Sequence, residues 1–517
     1  MPNTKKYALI NKKKILTENN IRKKKLKKLC DNGFNFPNLF HCNNTAKNIL
    51  LLYKKYTKKE LKKINVQIKI AGRIINKRVL GKASFFKIQD YDYEIQIYIQ
   101  SNNFKKDFYK DYILELDLGD IISVVGTVFK TNTQEISIFC YKIELLTKIL
   151  HPLPDKYHGL QDQELKYRKR YLDLIANNKI KKIFKRRSKI LSVIRMFMEK
   201  KDFLEVETPM IHSIPGGANA KPFITYHNTF NKKMYLRVAP ELYLKRLIIG
   251  GFNKIFEINR SFRNEGISSR HNPEFTMMEI YMAYSNYKDM MKLLIKLLKF
   301  ITKKFLIHQK FIIIIIKLIL KKIKTMTMID AIIYFNKNIK KSDLKSINNI
   351  KKIMNDLNLK IPLNISLGEM INIIFEKTTE KKIIEPTFIT NYPIEVSPLA
   401  KSKSTKNHIA ERFEFFLSGY EIANGFSELN DSKEQKKRFK KQIIEKNNKK
   451  TSDINYDYDK EYISALEYGL PPTSGLGIGI DRLIMIFTNQ KSIRDVILFP
   501  TLRSLKKTEI IKIFNIL

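Results

Sequence analysis

The feature that most limits the fold is a change of hydrophobic period at Val66. From there VQIKIAGRII, FFKIQD, YEIQIYIQ and DIISVVGTVFK alternate apolar and polar residues, and EISIFCYKIELL follows. Side chains alternate across a strand, so a period of two predicts strands with one buried face. Gly72, Gly81, Gly119 and Gly126 break the run into about five short strands. Five such strands with outward aromatic and amide side chains suit an oligonucleotide-binding barrel; the plainer reading is any small barrel or sandwich.

Residues 1–65 differ. They are Lys-rich, and IRKKKLKKLCDNGF spaces Ile21, Leu26 and Leu29 as a helix does before Gly33 and Pro37. This is a basic helical arm, either simply solvated or an electrostatic contact for a phosphate backbone. Residues 149–180 form a linker region: HPLPDKYHGL is punctuated by prolines and a glycine, and a helical stretch follows. A larger domain occupies 181–517. Within it, about 288–380 turns Lys/Ile-rich and helical, as an insertion or flank would.

Charge alone does not name a partner. Lys and Arg total 97 against 50 Asp and Glu, a net charge of +47. Lys outweighs Arg, Asn, Ile, Phe and Tyr are abundant, and Trp is absent, as an A+T-rich coding sequence would produce. Cys30, Cys42 and Cys140 contain no C-x-x-C pair, which fits a reducing compartment and neither a disulfide framework nor a zinc cluster. The most apolar run, FIIIIIKLIL from Phe311 to Leu320, is interrupted by Lys317 and is short of the ~20 residues that span a bilayer. The N-terminus lacks a secretory core, so the expected location is cytoplasmic, with no membrane partner.

Four segments carry chemistry. In FEINRSFRNEGISSRHNPEFTMMEIYMAY, alternation puts Glu257, Asn259, Ser261 and Arg263 on one face of a first strand. It puts Phe275, Met277, Glu279 and Tyr281 on one face of a return strand. An apolar core would not place Glu279 between Met277 and Tyr281, whereas a pocket would. Arg grips phosphate bidentately and an aromatic ring stacks on a base. In GLGIGIDRLIMIF, Gly475, Gly477 and Gly479 leave one strand face bare, open to a ligand or to close packing. Asp481 and Arg482 are expected to end that strand. In FEFFLSGYEIANGFSEL, Glu414 and Glu421 flank a Ser418–Gly419 turn and suit Mg²⁺, a hard oxygen-seeking cation. In RVAPELYLKRLIIGG a helix starts after Pro240 and stops at Gly250–Gly251, with Glu241 in its first turn.

Taken together, these segments resemble class II aminoacyl-tRNA synthetases. FRNEG with RHNPEFTMMEIYMAY resembles motif 2, GLGIGIDR motif 3, and FLEVETPMI motif 1. The sequence is most similar to the bacterial-type lysyl-tRNA synthetases. GKASFFKIQD, PLPDKYHGLQDQEL, RKRYLDLI, IPGGANAKPFIT, APELYLKRL, EPTFITNYPIEVSPLAK, NGFSELND and RDVILFP carry that likeness over about 65–500. The resemblance implies an α+β chain: an all-β OB-fold anticodon-binding domain at 66–148, then an antiparallel catalytic sheet with flanking helices. It implies ATP, L-lysine and tRNA(Lys) as substrates, Mg²⁺, and, from motif 1, a homodimer.

Carried over by position, Arg263 would hold the ATP α-phosphate, Arg482 the γ-phosphate, and both would be catalytic. Phe275 would stack on adenine, and Glu265, His271 and Asn272 would touch ATP. Lysine would sit among Gly217, Glu241, Glu279, Tyr281, Asn424, Phe426 and Glu428, with Glu414 and Glu421 on the metal. In the barrel, Phe85 would stack on the central anticodon base beside Arg78, Gln96 and Glu135. Lys401–Ser404 faintly resembles a class I loop, but no H-x-G-H partner accompanies it. Two departures, the Ile-rich 308–324 and NISLGEMI at 364–371, fall outside the proposed contacts. The rivals are an aspartate or asparagine synthetase, whose acidic or amide substrates disfavour Glu241 and Glu428, and a non-catalytic RNA-binding derivative.

Overall fold

The computed structural model describes residues 3–154, 162–218, 220–305, 322–362, 365–448 and 458–505. The Ile-rich run 311–320, the middle of the 149–180 linker and the last dozen residues lie outside them. The chain divides into two compact units, 1–180 with 503–517 and 181–502.

In the first unit five strands close a barrel: β1 (Gln67–Leu80), β2 (Ala83–Asp90), β3 (Tyr93–Gln100), β4 (Ile121–Lys130) and β5 (Ile136–Thr147), in the order β1-β2-β3-β5-β4. All pairs are antiparallel except β3 with β5. The alternation works as expected: Ile68, Ile70, Ile74, Phe86, Ile88, Ile95, Ile97 and Val124 fill the interior. Gly126 is required by closeness, since a Cβ there would meet the Phe139 carbonyl oxygen at 2.1 Å. The basic arm, 1–65, holds helices Asn3–Asp31, Ala46–Tyr53 and Lys58–Ile64, the first ended by Gly33 at φ +89°. It is not simply solvated. Buried Arg22 donates to the Leu118 carbonyl (3.1 Å), and Lys25 Nζ reaches Asp117 (2.9 Å). Lys23, Lys24, Lys27 and Lys28 stay exposed.

The second unit is built on an eight-stranded sheet, order β12-β13-β16-β17-β18-β11-β10-β6. These are β6 (Leu204–Glu205), β10 (Lys254–Phe262), β11 (Glu274–Ala283), β12 (Lys324–Thr327), β13 (Thr387–Thr390), β16 (Arg412–Leu417), β17 (Tyr420–Ser427) and β18 (Thr473–Gly479), while β7 (Ile211–His212), β8 (Ile224–His227) and β9 (Lys232–Leu236) form a small sheet of their own and β14 (Ser402–Lys403) pairs with β15 (Lys406–Ala410). The centre is antiparallel, while the two outer pairs, β10 with β6 and β12 with β13, are parallel. Helix Tyr287–Phe305 buries Met290, Leu294, Leu297, Leu298 and Ile301, the apolar stripe of an amphipathic helix. The stretch read as purely helical contributes β12 to the sheet. Four residues are too few to display a period. Its helices Met328–Phe335, Ile347–Asp356 and Leu367–Thr378 share a core with Ile389 and Phe416 of the sheet. The departing segment before Ile371 opens the last of these with a capping box, Ser366 and Glu369.

Candidate active site

A cavity of about 920 Å³ opens over β11, β17 and β18. All fifteen residues expected at ATP, lysine or the metal line it: Gly217, Glu241, Arg263, Glu265, His271, Asn272, Phe275, Glu279, Tyr281, Glu414, Glu421, Asn424, Phe426, Glu428 and Arg482.

β10 and β11 build one wall. Their register sets Ser261 opposite Phe275 and Glu257 opposite Glu279. Of the polar face expected on β10, only Arg263, just past the strand end, lines the cavity. Glu257 turns instead to buried Arg237 (2.7 Å) and to the Thr208 hydroxyl (2.7 Å), so its charge is spent internally. The Arg263 guanidinium lies 5.1 Å from the Phe275 ring centre, and its Nε is buried without a hydrogen-bond partner. Arg, aromatic, carboxylate and phenol do converge. Tyr281 donates its hydroxyl proton to Glu279 at 2.9 Å.

Asp481 and Arg482 begin helix Ile480–Thr488 rather than ending β18. Asp481 is pinned by Arg187 (2.5 Å) and the Thr276 N–H (2.7 Å), which fixes the first turn against β11. Arg482 then reaches the Glu421 carbonyl (2.8 Å) and carboxylate (3.2 Å) and approaches His271 (3.3 Å). Burial and the Arg482 charge hold the His271 imidazole below its usual range. Asn272 is less free than its motif position implies: it donates to the Glu274 carbonyl (2.6 Å) and accepts from the Thr501 N–H (3.2 Å).

Glu414 and Glu421 are not directly opposite. Glu414 faces Asn424 and Glu421 faces Phe416, because Ile422 is passed over in the register. This bulge still sends both carboxylates to the cavity. Burial, with Glu421 adding repulsion, pushes Glu414 up to about 7. Arg412 (2.5 Å) and the Tyr392 hydroxyl (2.8 Å) hold it. Among the described residues no group of three or more His, Cys, Asp or Glu that could hold a metal ion is found. Two repelling carboxylates are nonetheless a fit for Mg²⁺, which is usually bound by one or two carboxylates plus substrate phosphates.

The glutamate end of the cavity is the most buried. Glu241, Glu279 and Glu428 are 7%, 5% and 2% exposed. Burial, with the Glu241 charge adding to it, pushes Glu279 up to about 8. Gly475 is explained here, though not as open space for a ligand. A Cβ on it would meet Glu428 Oε1 at 2.2 Å and Tyr281 Cε1 at 2.8 Å, so the bare strand face accommodates the chain's own pocket side chains. Gly217, at φ +85°, lies against Ala239 and Glu241. Sequence reasoning missed Lys245, fully buried between Glu241 (2.6 Å) and Glu428. Its only signal was its position four residues after Glu241.

On the barrel, Phe85 is half-buried opposite exposed Arg78. It belongs to a continuous outward aromatic patch: Phe85 and Tyr98 (5.0 Å between ring centres), Tyr98 and Phe139 (5.6 Å), and Phe139 and Tyr141 (5.5 Å), with Phe129 beside them. Gln96 donates to Ser137 (3.1 Å) and Glu135 sits 3.5 Å from Lys87. The added rings were legible as the outward positions of β3, β4 and β5.

A closed five-stranded barrel followed by a sheet of this topology, with arginines and buried acids in one cavity, defines a class. Residues 162–503 match the family described as tRNA synthetases class II (D, K and N), and 68–146 match the OB-fold nucleic acid binding domain. Among relatives, the lysine–tRNA ligase of Buchnera aphidicola subsp. Cinara cedri (strain Cc) is 66% identical over 97% of this chain and 100% of its own length. That of Wigglesworthia glossinidia brevipalpis is 52% identical over 96% and 100%, and that of Legionella pneumophila (strain Lens) 51% over 93% and 97%. The chain belongs to the lysine–tRNA ligase family of the class II tRNA synthetases. No described helix is long and apolar enough to cross a membrane.

Proposed function

We propose that the chain attaches L-lysine to tRNA(Lys) in two steps, through a lysyl-adenylate. The observation that carries this reading is three buried glutamates at one end of a cavity whose other end holds Arg263 and Arg482. A ligand with two ammonium groups needs such buried, paired carboxylates.

In the first step a lysine carboxylate oxygen attacks the ATP α-phosphorus and pyrophosphate leaves. Phe275 stacks on adenine, Arg263 takes the α-phosphate and Arg482 the γ-phosphate, while Glu265, His271 and Asn272 contact the nucleotide from the loop. Gly217, Glu241, Glu279, Tyr281, Asn424, Phe426 and Glu428 hold lysine. Glu414 and Glu421 would hold Mg²⁺, which when bound neutralises phosphate charge. The protein's part is positioning and charge stabilisation. In the second step a ribose hydroxyl of the tRNA's terminal adenosine attacks the lysyl carbonyl carbon, and AMP leaves.

The barrel, 66–148, serves as the anticodon reader: Phe85 stacks on an unpaired base and Arg78, Gln96 and Glu135 bond to base edges, the usual way proteins read single-stranded RNA. The rest of the layout is the basic arm 1–65, the linker 149–180 and the catalytic domain 181–517. The working form is a cytoplasmic homodimer. The test is charging of tRNA(Lys) with radiolabelled lysine in ATP and Mg²⁺. Acid-precipitable lysine that depends on both ATP and tRNA is expected; its absence in folded protein leaves the non-catalytic RNA-binding reading.

A further inference from the structure

Lys245 has no part in the mechanism above, yet it lies buried behind Glu241 and Glu428 at the amino-acid end of the cavity. It is 0% exposed. Its ammonium touches Glu241 Oε1 (2.6 Å) and Glu428 Oε2, and lies 5.5 Å from the Phe426 ring centre and 5.9 Å from that of Tyr462. Burying an ammonium is costly unless it is paired, and here two carboxylates pair it. They outweigh the downward pull of burial and keep it above the ordinary lysine range.

The charged groups around it can be counted. Glu241 stands on the same helix, Glu279 on β11 and Glu428 just after β17, with the neutral phenols Tyr281 and Tyr462 beside them. Glu257 is balanced by Arg237. Glu279, pushed up to about 8, holds its proton near neutral pH, and burial pushes Glu428 up as well while Lys245 pulls it back down. Glu428 Oε2 rests on Lys245 as an ion pair, and Oε1 is buried without a hydrogen-bond partner. Buried charge of this kind calls for a cationic ligand.

We propose that Lys245 is a positioning residue for the amino-acid site: a built-in counter-ion that bridges Glu241 and Glu428 and holds their carboxylates in place for a cationic substrate. It rests on the reading of the cavity as a lysine site. Removing the Lys245 charge raises the affinity of Glu428 for a proton, because a nearby cation favours the ionised form. Lysine must then displace that proton, and its binding becomes more dependent on high pH.

The experiment is lysine-dependent ATP–pyrophosphate exchange with full-length protein at about pH 7 to about pH 9. It compares wild type, Lys245→Met and Lys245→Met/Glu241→Gln, with thermal melting of each. At about pH 7, Lys245→Met is expected to raise the KM for lysine by about tenfold or more, a one-unit shift being a factor of ten. The ratio of its KM to the wild-type KM is expected to fall as pH rises; taking the ratio cancels titration of lysine itself. The double variant removes one charge of each sign and restores the pH profile, whatever its absolute KM. A ratio constant with pH makes Lys245 a packing residue and overturns the proposal. If the single variant does not fold, a folded double variant with the wild-type profile supports the proposal, and a double variant that also fails to fold overturns it. Wild-type protein without lysine-dependent exchange would instead sink the reading of the cavity.

Discussion

Arg263 carries its guanidinium over Phe275 and keeps a buried Nε unpartnered, the arrangement of a group prepared for a ligand. Its truncation to Ala is expected to slow pyrophosphate exchange by a factor on the order of 10²–10³, the usual cost of losing one transition-state donor. Near-normal exchange would remove it from that role. Gly475 gives a second test. Gly475→Ala puts a methyl 2.2 Å from Glu428 Oε1 and 2.8 Å from Tyr281 Cε1, and both side chains are enclosed, so Glu428 must be pushed from its place. Its KM for lysine is expected to rise roughly tenfold or more, with the KM for ATP little changed, since displacing one partner of a buried charged pair costs several kcal/mol. Equal effects on both substrates would contradict that. Arg263, Phe275, Glu279 and Tyr281 were legible because a period of two assigns faces without any tertiary knowledge. Lys245 was not. A Glu and a Lys four apart on a helix look like an ordinary surface pair, and what buries this one is Glu428, which only the folded sheet brings near.

At the scale of elements, the barrel strands and the β10–β11 hairpin announced themselves, while β12 and the β17 bulge did not. β12 is four residues in helical surroundings, and a bulge is a mismatch between two strands that neither strand shows alone. The outward aromatics of β2 to β5 make a stacking surface whose role can be separated from the catalytic sheet. Phe85→Ala should weaken tRNA binding by about 1–3 kcal/mol, the usual worth of one stacked base, and leave pyrophosphate exchange unaltered. An unchanged KM for tRNA would exclude Phe85 from base recognition. The arm is a further element with a definite prediction. Arg22 and Lys25 are committed to its own barrel, but Lys23, Lys24, Lys27 and Lys28 are exposed. Deleting residues 1–30 should flatten the salt dependence of tRNA binding, since each lost phosphate contact reduces the slope. An identical slope would show that the arm makes no phosphate contacts.

For the whole molecule, the net charge of +47 said less than the few acids it surrounds. A basic surface fits an RNA-binding chain and equally a biased codon supply, so it discriminated poorly. Three buried glutamates gathered from a helix, a strand and a loop specify a cationic substrate far more narrowly. The OB barrel and the class II sheet were readable from sequence because their motifs bring fixed spacings of Gly, Arg and Glu. The pairing of charges inside the cavity was not, since it depends on which elements the fold packs together. Activation of lysine in this cavity is the reaction on which every other role depends. Its most direct test is ATP–pyrophosphate exchange by the full-length protein with lysine, aspartate and asparagine offered separately. Exchange is expected with lysine, and only background with the other two. Exchange driven by aspartate or asparagine, or none with lysine in folded protein, would contradict it.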